Sequence, residues 1–410
     1  MGKKVQLVIM MFLQYAIWGA WFPVLSDYML NTLGFNGLQV GVIYSLLPLA
    51  TIISPFVGGQ LADRYFATQK VIAFLQLFGG VFLIWLSFVS DYRMMMLLMF
   101  LYTLMYAPTL ALTNSITFHH LTDSEREFGW IRVGGTIGWI VIGLMLSGWR
   151  ILAGKGIMPQ LAGDALLLAG FASIIMGIYA FFLPHTPPSK EAKNPLAFLE
   201  AFKMLKNKNF AIFIVLCFVV STELMFYYQL TGPFLTSPGI GVTSSGLAGV
   251  MTIAQAAEVF VLALLLPWFL PKFGMRKTLT LGILAWPIRY IIFSIGSPAW
   301  LVIASLSLHG FCFVFFFAAA QIYVDTVAPK DIRASAQSMI SFVTYGLGLY
   351  LGSHFAGLIQ NMFSEFGPNN EIISTNWTYV FLIPTALTVL CAVVFVLSFK
   401  EKLGFKSNNS

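Results

Sequence analysis

Long apolar runs recur along the whole chain of 410 residues, and they constrain its fold more than any other feature. Each run has roughly 20 residues, the length that crosses ~30 Å of hydrocarbon as an α-helix. Only 10% of the residues are charged, whereas about a quarter are charged in a typical water-soluble domain. A membrane β-barrel would instead alternate polar and apolar residues in segments of about 10. The pattern predicts an all-α polytopic membrane protein that lies in the lipid bilayer.

We predict twelve membrane-spanning helices, which a longer polar stretch divides into six and six. This stretch, residues 185–209, contains five lysines and three prolines and is predicted to be a linker on the cytoplasmic side. The two six-helix halves are therefore expected at residues 1–184 and 210–410. The predicted spans are 5–26, 38–62, 70–90, 93–119, 129–150, 161–183, 208–235, 243–270, 275–296, 299–327, 331–361 and 375–400.

Lysine and arginine residues are distributed unevenly over the predicted loops. With the N-terminus inside, most of them fall on the inner side, whereas Arg93, Arg150 and Lys155 fall outside. Because positively charged loops stay in the cytoplasm, both termini are predicted to be cytoplasmic. The N-terminal run is predicted to be a retained first helix rather than a cleaved signal. The net charge of +7 is explained by this topology, so no nucleic-acid partner is expected.

Polar side chains inside the predicted spans are candidates for function, because they are costly in lipid. Gln255 and Glu258 are three residues apart in the eighth span and so share one helix face. Glu258 could line a substrate or ion path, or it could form an ion pair with Arg289, at similar depth in the ninth span. His309 in the tenth span could carry protons, or it could be a hydrogen-bonded structural group.

The fifth span begins with a cation, a hydroxyl and an aromatic ring along one helix face. These are Arg132, Thr136 and Trp139. Such a set suits a flat polar ligand, because the ring can stack and the polar groups can fix its orientation. The alternative is an arginine at the cytoplasmic edge of the membrane with an interfacial tryptophan.

The seventh span carries a glutamate near mid-membrane, followed by a group of side chains that end in polar atoms. Glu223 precedes Tyr227, Tyr228 and Gln229 on an otherwise apolar helix. One face of this helix could line a cavity, or these groups could form hydrogen bonds between helices.

Cysteines and potential metal ligands give no sign of a catalytic centre. Cys217, Cys312 and Cys391 all lie inside apolar runs and are expected to be small buried residues. Neither a metal-ligand spacing nor a Gly-rich phosphate loop occurs. We therefore expect no metal, no cofactor and no enzymatic activity, and we expect a monomer.

Small residues four apart occur in corresponding spans of the two predicted halves. Gly134 and Gly138 open the fifth span, and Gly348 and Gly352 lie in the eleventh. Small residues at this spacing let two helices approach closely. The pairs therefore predict close helix contacts and form part of a faint internal repeat, which is the plan of many transporters.

The turn after the second span resembles a known loop. GGQLADRYFATQK, residues 58–70, is similar to the loop between helices 2 and 3 of the major facilitator superfamily. The resemblance implies that Asp63 and Arg64 act in gating at the inner face, although an ordinary polar turn is the alternative. Asp325, near the inner end of the tenth span, is expected to pair with Arg333 or Lys277 as a similar latch.

Several further stretches resemble one family within that superfamily. FLQYAIWGAWF, YAPTLALTNSITF, IRVGGTIGWI, LPKFGMRKTL and IRASAQSM, with the Q-x-x-E of the eighth span, are similar to the nucleoside:proton symporters, the bacterial nucleoside permeases. The chain looks closest to a branch of provisionally assigned nucleoside transporters in that family. The resemblance implies twelve helices in two halves and import of nucleosides with protons across the bacterial cytoplasmic membrane.

The resemblance also assigns candidate site residues by position. The positions that bind nucleoside in the permeases are occupied here by Arg132, Thr136, Gln255 and Glu258. Trp139 stands where the permeases have phenylalanine, and Phe313 matches an aromatic residue of their site. On helix 7, Met225 and Tyr228 replace a glutamine and an asparagine. Tyr228 or Gln229 could still contact a sugar or a base.

The largest departure from the family concerns proton coupling. Val314 stands where the permeases have a proton-linked aspartate on helix 10, and His309 replaces a tyrosine of that helix. Valine cannot titrate. If coupling is retained, Glu258 or His309 must supply it, and otherwise the protein is a uniporter.

Other functions remain as alternatives to nucleoside import. These are transport of another small polar solute such as a nucleobase or sugar, drug efflux, solute sensing without transport, and catalysis by a membrane enzyme. An efflux pump would be expected to have a more apolar pocket, and an enzyme would need acids or metal ligands near a membrane face.

Overall fold

Membrane-length helices dominate the computed structural model, which describes residues 2–64, 66–121, 124–188, 198–329 and 332–400. The side chains of residues 55–64, 124–126, 198 and 334 are not part of that description. The predicted gating residues Asp63 and Arg64 therefore lie outside the described side chains.

Twelve helices, α1 to α12 in chain order, agree with the twelve predicted spans. Ten helices of the described residues are long and apolar enough to cross a membrane, and α6 is a shorter apolar helix. The longest of the ten, Ser244–Ile295, contains both α8 and α9, which Gly274 divides with a φ of 81°. The helices are α1 Lys3–Thr32, α2 Gly37–Arg64, α3 Thr68–Leu86, α4 Tyr92–His120, α5 Ser124–Gly154, α6 Asp164–Ala180, α7 Lys208–Thr236, α8 244–273, α9 275–295, α10 Ala299–Val327, α11 333–362 and α12 Trp377–Ser398.

Regular structure also occurs where the spans predict none. A two-stranded sheet, β1 Ser364–Phe366 and β2 Ile372–Thr375, lies between α11 and α12. Its connection contains Gly367, Pro368 and Asn370, and Asn370 has a φ of 65°, which suits a tight turn. A short helix, Phe198–Ala201, lies within the predicted linker and continues as a tighter 3-10 turn.

The chain forms two compact units. The first comprises Met1–Pro195, Val242–Thr252 and Gly367–Ile372, and the second comprises Leu196–Gly241, Ile253–Phe366 and Ile373–Ser410.

The same pairs of helices pack together within each unit. In the first unit, α1 packs on α5 and α6, and α3 packs on α4 and α6. In the second unit, α7 packs on α11 and α12, and α9 packs on α10 and α12. Counted from the start of each half, the first helix packs on the fifth and the sixth in both units. The third helix packs on the fourth and the sixth in both units. This pattern agrees with the faint repeat in the sequence.

Close helix contacts occur at the two predicted glycine pairs, which confirms that interpretation. A Cβ built on Gly138 would overlap the carbonyl oxygen of Phe12 on α1. A Cβ on Gly352 would lie 2.6 Å from the carbonyl oxygen of Thr222 on α7. Glycine therefore lets the backbones of α1 and α5, and of α7 and α11, touch.

Within the described residues, wider π-helical turns interrupt five of the long helices. Such turns insert one extra residue into an α-helix and often lie at functional sites. Two of them carry the candidate residues Tyr228 and Phe313. The segments are Tyr28–Thr32 in α1, Phe226–Leu230 in α7, Val261–Leu265 in α8, Phe311–Ala318 in α10 and Phe342–Gly348 in α11.

A buried polar network in the first unit was not predicted from the sequence. The Gln14 amide donates to Thr109 Oγ1 at 2.8 Å, and the Gln76 amide donates to Gln14 Oε1 at 2.9 Å. Ser173 Oγ donates to Gln76 Oε1 at 2.7 Å. Because these groups satisfy one another, the network fixes α1, α3, α4 and α6 together rather than offering a ligand site.

Candidate functional site

Arg132, the predicted cation of the fifth helix, lies against an aromatic ring of α1. Its Cζ atom is 3.7 Å from the centroid of the Tyr15 ring, which is a cation–π contact. Arg132 and Thr136, one turn further along α5, are both partly buried. Tyr15 thus holds the guanidinium plane and leaves its edge for hydrogen bonds.

Two indole rings continue the aromatic group from Tyr15 along α1 and α5. The rings of Trp18 and Trp139 are 5.4 Å apart at 64°, and Trp18 is 6.3 Å from Tyr15. A Cβ on Gly19 would lie 2.6 Å from Trp139 Cγ, so a glycine on α1 provides the space for that ring. Trp18 Nε1 has no hydrogen-bond partner among the described residues. We name Tyr15, Trp18, Arg132, Thr136 and Trp139 the first cluster.

A second cluster surrounds Arg289 on α9, which is fully buried. Its Cζ lies 4.4 Å from the ring centroid of Tyr227, 4.7 Å from that of Trp286 and 5.1 Å from that of Tyr290. Its Nη1 lies 3.3 Å from His309 Nδ1. Among the described residues, Arg289 contacts these rings and His309 rather than Glu258. The geometry therefore does not show the ion pair with Glu258 that the sequence left open.

His309 brings three other candidate rings together in the second unit. It stacks on Tyr227 at 4.5 Å and 23°, and on Phe313 at 5.8 Å and 28°. Tyr228 meets its edge at 5.8 Å and 75°. We name Tyr227, Tyr228, Arg289, His309 and Phe313 the second cluster.

The contact with Arg289 indicates which ring nitrogen of His309 accepts a hydrogen bond in this conformation. A guanidinium only donates hydrogen bonds, so His309 Nδ1 accepts and the ring proton sits on Nε2. Nε2 has no hydrogen-bond partner among the described residues. A second proton on this ring would break the bond and face the arginine charge. His309 thus acts as a neutral acceptor here.

The two predicted binding residues of α8 lie in different environments. Gln255 is 5% exposed, and its Oε1 has no hydrogen-bond partner in the described part of the chain. Glu258 is partly buried and lies within electrostatic range of Tyr227 and Tyr228. The structure thus places Glu258 beside the second cluster, where it can accept hydrogen bonds.

Gln229, another predicted binding residue, is turned toward α11. It is fully buried. In the amide orientation that satisfies both groups, its nitrogen donates to Ser353 O at 3.2 Å and its oxygen accepts from Gly357 N at 3.3 Å. These two backbone groups belong to one turn of α11. The contacts favour a structural role for Gln229.

We expect Gln229→Ala to lower the thermal unfolding temperature without changing the KM for substrate. The change removes two buried hydrogen bonds, each worth about 1 kcal/mol, and leaves a cavity. Tyr228→Ala, on the adjacent residue of the second cluster, should instead raise KM. Unfolding in detergent and uptake into proteoliposomes measure the two effects. A tenfold rise in KM for Gln229→Ala, by loss of about 1.4 kcal/mol of binding, would show that this amide contacts substrate.

The predicted latch of the tenth helix is present as an exposed ion pair. Arg333 Nε lies 3.6 Å from Asp325 Oδ1, with side chains 44% and 50% exposed. Exposed pairs contribute little stability, so this geometry is easily broken and remade. A role for the pair in gating remains a prediction.

Sequence reasoning missed Tyr15 and Trp18 as members of the first cluster. The signal was available in YAIWGAW: two aromatic residues one turn apart, followed by Gly19. The contacts of Arg289 were missed for another reason, since nothing in the sequence indicates which side of α9 it faces.

Comparison with known proteins shows which family has this sequence pattern. The family model described as "Nucleoside H+ symporter" matches residues 1–403. The chain belongs to the nucleoside H+ symporter family. The family is one of transporters, not of enzymes, and the chain is a multi-pass membrane protein of the major facilitator type.

Individual relatives match over nearly their full length. The protein YegT of Escherichia coli (strain K12) is 35% identical over 98% of this chain and 95% of its own. The nucleoside permease NupG of the same organism is 31% identical over 98% and 97%. The xanthosine permease of that strain is 30% identical over 98% and 96%. The crystal structure of NupG matches with a TM-score of 0.84 over 98% of this chain and all of that one.

Proposed function

We propose that this protein imports nucleosides across the cytoplasmic membrane by proton symport and alternating access. Both termini lie in the cytoplasm in this proposal, which rests on the distribution of lysine and arginine. NupG and the xanthosine permease, both about 30% identical over almost the whole chain, are named for transport of nucleosides.

The observation that carries the proposal is the first cluster. A nucleobase is flat and has polar edges, and stacking on an aromatic side chain contributes about 1–3 kcal/mol per base. Trp18 and Trp139 supply ring faces, while Arg132, held at 3.7 Å over Tyr15, supplies donors at a fixed place. The guanidinium of Arg132 can therefore donate hydrogen bonds to a carbonyl oxygen or a ring nitrogen of the base.

Polar groups in and beside the second cluster suit a hydroxylated solute. Sugar hydroxyls need acceptors and donors, and Gln255 Oε1, Glu258 and the tip of Tyr228 are candidates. The Tyr227 hydroxyl also has no hydrogen-bond partner among the described residues. Specificity follows from such groups, because a buried polar atom left without a partner lowers affinity for the wrong solute.

A uniporter is the second candidate, and one residue favours it. Val314 is 1% exposed and occupies the position of the family's proton-linked aspartate. Transport without coupling would need no titrating group at this position.

Uptake of labelled uridine into proteoliposomes tests the proposal. We expect saturable uptake that accumulates above equilibrium only with an inward proton gradient. Uptake that equilibrates with or without the gradient would establish a uniporter. Absence of saturable uptake, together with uptake of labelled sugars or bases, would reject nucleosides as the substrate class.

A further inference from the structure

A fully buried carboxyl in α7 is not explained by the substrate clusters. Glu223 has no exposed surface, and its Oε1 accepts from Thr222 Oγ1 at 3.2 Å. Its Oε2 has no hydrogen-bond partner among the described residues. Ionisable groups inside a membrane are costly and usually mark an ion or substrate pathway. Glu223 is therefore a candidate for a functional acid.

Among the described residues, no ion pair or hydrogen bond joins the Glu223 carboxyl to a cationic side chain. The ionisable side chains within its electrostatic range include Tyr290 on α9 and Cys391 on α12. The neighbouring helix α11 contributes small residues, since Gly348 and Gly352 face the turn just before Glu223. A carboxyl in such surroundings is far easier to bury with a proton than as an anion.

One hydrogen bond connects Glu223 to the second cluster. The Tyr290 hydroxyl donates to the backbone carbonyl of Glu223. That carbonyl also accepts from the N–H of Phe226, the first residue of the π-helical turn that carries Tyr227 and Tyr228. Tyr290 in turn lies against Arg289, which donates to His309. The acid is thus linked through α9 to α10.

We infer that Glu223, beside Tyr290 and one turn before Tyr227 and Tyr228, is the carboxyl that binds and releases the coupling proton. The inference rests on the proposed symport of nucleoside and proton. Val314 cannot hold a proton, His309 Nδ1 already accepts from Arg289, and the proposed function assigns Glu258 to the solute. Glu223 is the remaining acidic side chain among the described residues near the second cluster.

The linkage gives a physical route from the proton to the solute. Release of the proton creates a buried anion, which needs a hydrogen-bond donor. The Tyr290 hydroxyl, already bonded to the same residue, can turn from the carbonyl to the carboxylate. The backbone carbonyl of Glu223 then loses its hydrogen bond from Tyr290, at the start of the π-helical turn. Tyr227 and Tyr228, whose positions depend on this turn, are thereby coupled to the charge of Glu223.

The test separates proton coupling from solute exchange. Wild-type protein, Glu223→Gln and the matched exposed control Glu365→Gln are reconstituted in proteoliposomes. Counterflow of labelled against unlabelled uridine requires no net proton movement, whereas accumulation on a proton gradient does. A pH-sensitive dye inside the vesicles records proton entry when uridine is added.

We expect Glu223→Gln to keep counterflow and to lose both accumulation and uridine-dependent proton entry. Glu223→Asp should restore accumulation at least in part, and Glu365→Gln should behave as wild type. Accumulation by Glu223→Gln at the wild-type level would overturn the inference. Wild-type protein that exchanges uridine but never accumulates it would also overturn it, while leaving nucleoside transport intact. Wild-type protein with neither activity would reject the proposed function itself.

A second measurement keeps the inference testable if Glu223→Gln does not fold. Dicyclohexylcarbodiimide adds to protonated carboxyls in apolar surroundings and can be mapped by mass spectrometry on the wild-type protein. We expect modification of Glu223 that decreases as the pH is raised and that uridine alters. Failure to modify Glu223 from mildly acidic to mildly alkaline pH would count against a titrating acid at this position.

Discussion

Replacing Arg132 by alanine should abolish uridine uptake at low substrate concentration while the protein remains folded. The guanidinium is partly buried and is held 3.7 Å over the Tyr15 ring, which orients its free edge. Loss of its charge-assisted hydrogen bonds to the substrate, about 3 kcal/mol, corresponds to about 100-fold in affinity. Binding is measured by the rise in unfolding temperature that uridine produces.

Two substitutions sharpen this prediction. Arg132→Lys keeps the charge but loses the planar set of donors, so its affinity should fall between wild type and Arg132→Ala. Arg93→Ala, at an exposed arginine of α4, should leave uptake unchanged. A wild-type KM for Arg132→Ala would remove Arg132 from the binding site and would leave the aromatic rings as the main recognition element.

Gly138→Val should prevent assembly of the first unit. A Cβ at this position overlaps the carbonyl oxygen of Phe12, and a backbone atom cannot move aside as a flexible side chain can. The helices α1 and α5, which carry all five residues of the first cluster, would be forced apart. Overpacking typically costs about 1–3 kcal/mol and more where backbone must shift. Size-exclusion chromatography in detergent should show aggregated or absent protein.

The same helix provides a matched control. Gly148→Val, ten residues further along α5, introduces the same side chain where no atom lies within 4 Å. We expect monodisperse protein with wild-type uptake from this variant. Folded, active Gly138→Val would mean that α1 and α5 approach less closely than described.

Much of the fold could be predicted from the sequence because lipid imposes simple rules. Apolar length determines the helix count, and the twelve predicted spans match the twelve helices. Small residues four apart predicted close contacts, and these occur at Gly138 and Gly352. These rules do not predict the two strands between α11 and α12, because a short sheet depends on a turn at Gly367 and on local strand pairing.

The site was only partly predictable. Arg132 and Trp139 were predicted as a cation and ring on one face of α5, and the structure adds that α1 completes them with Tyr15 and Trp18. Similar depth in the membrane left an ion pair between Glu258 and Arg289 open as an alternative, because depth does not determine which way a side chain points. Arg289 instead lies among rings beside His309. Such partners depend on tertiary packing that no spacing rule contains.

The π-helical turns have a consequence for experiments that deduce helix orientation from periodicity. An α-helix advances 100° per residue, so one inserted residue rotates everything beyond it by about that angle. In α7 this happens at Phe226–Leu230. A cysteine-accessibility scan along α7 should therefore show a phase slip within this segment. Fitting one continuous wave to the labelling data would assign the wrong side to one end of the helix.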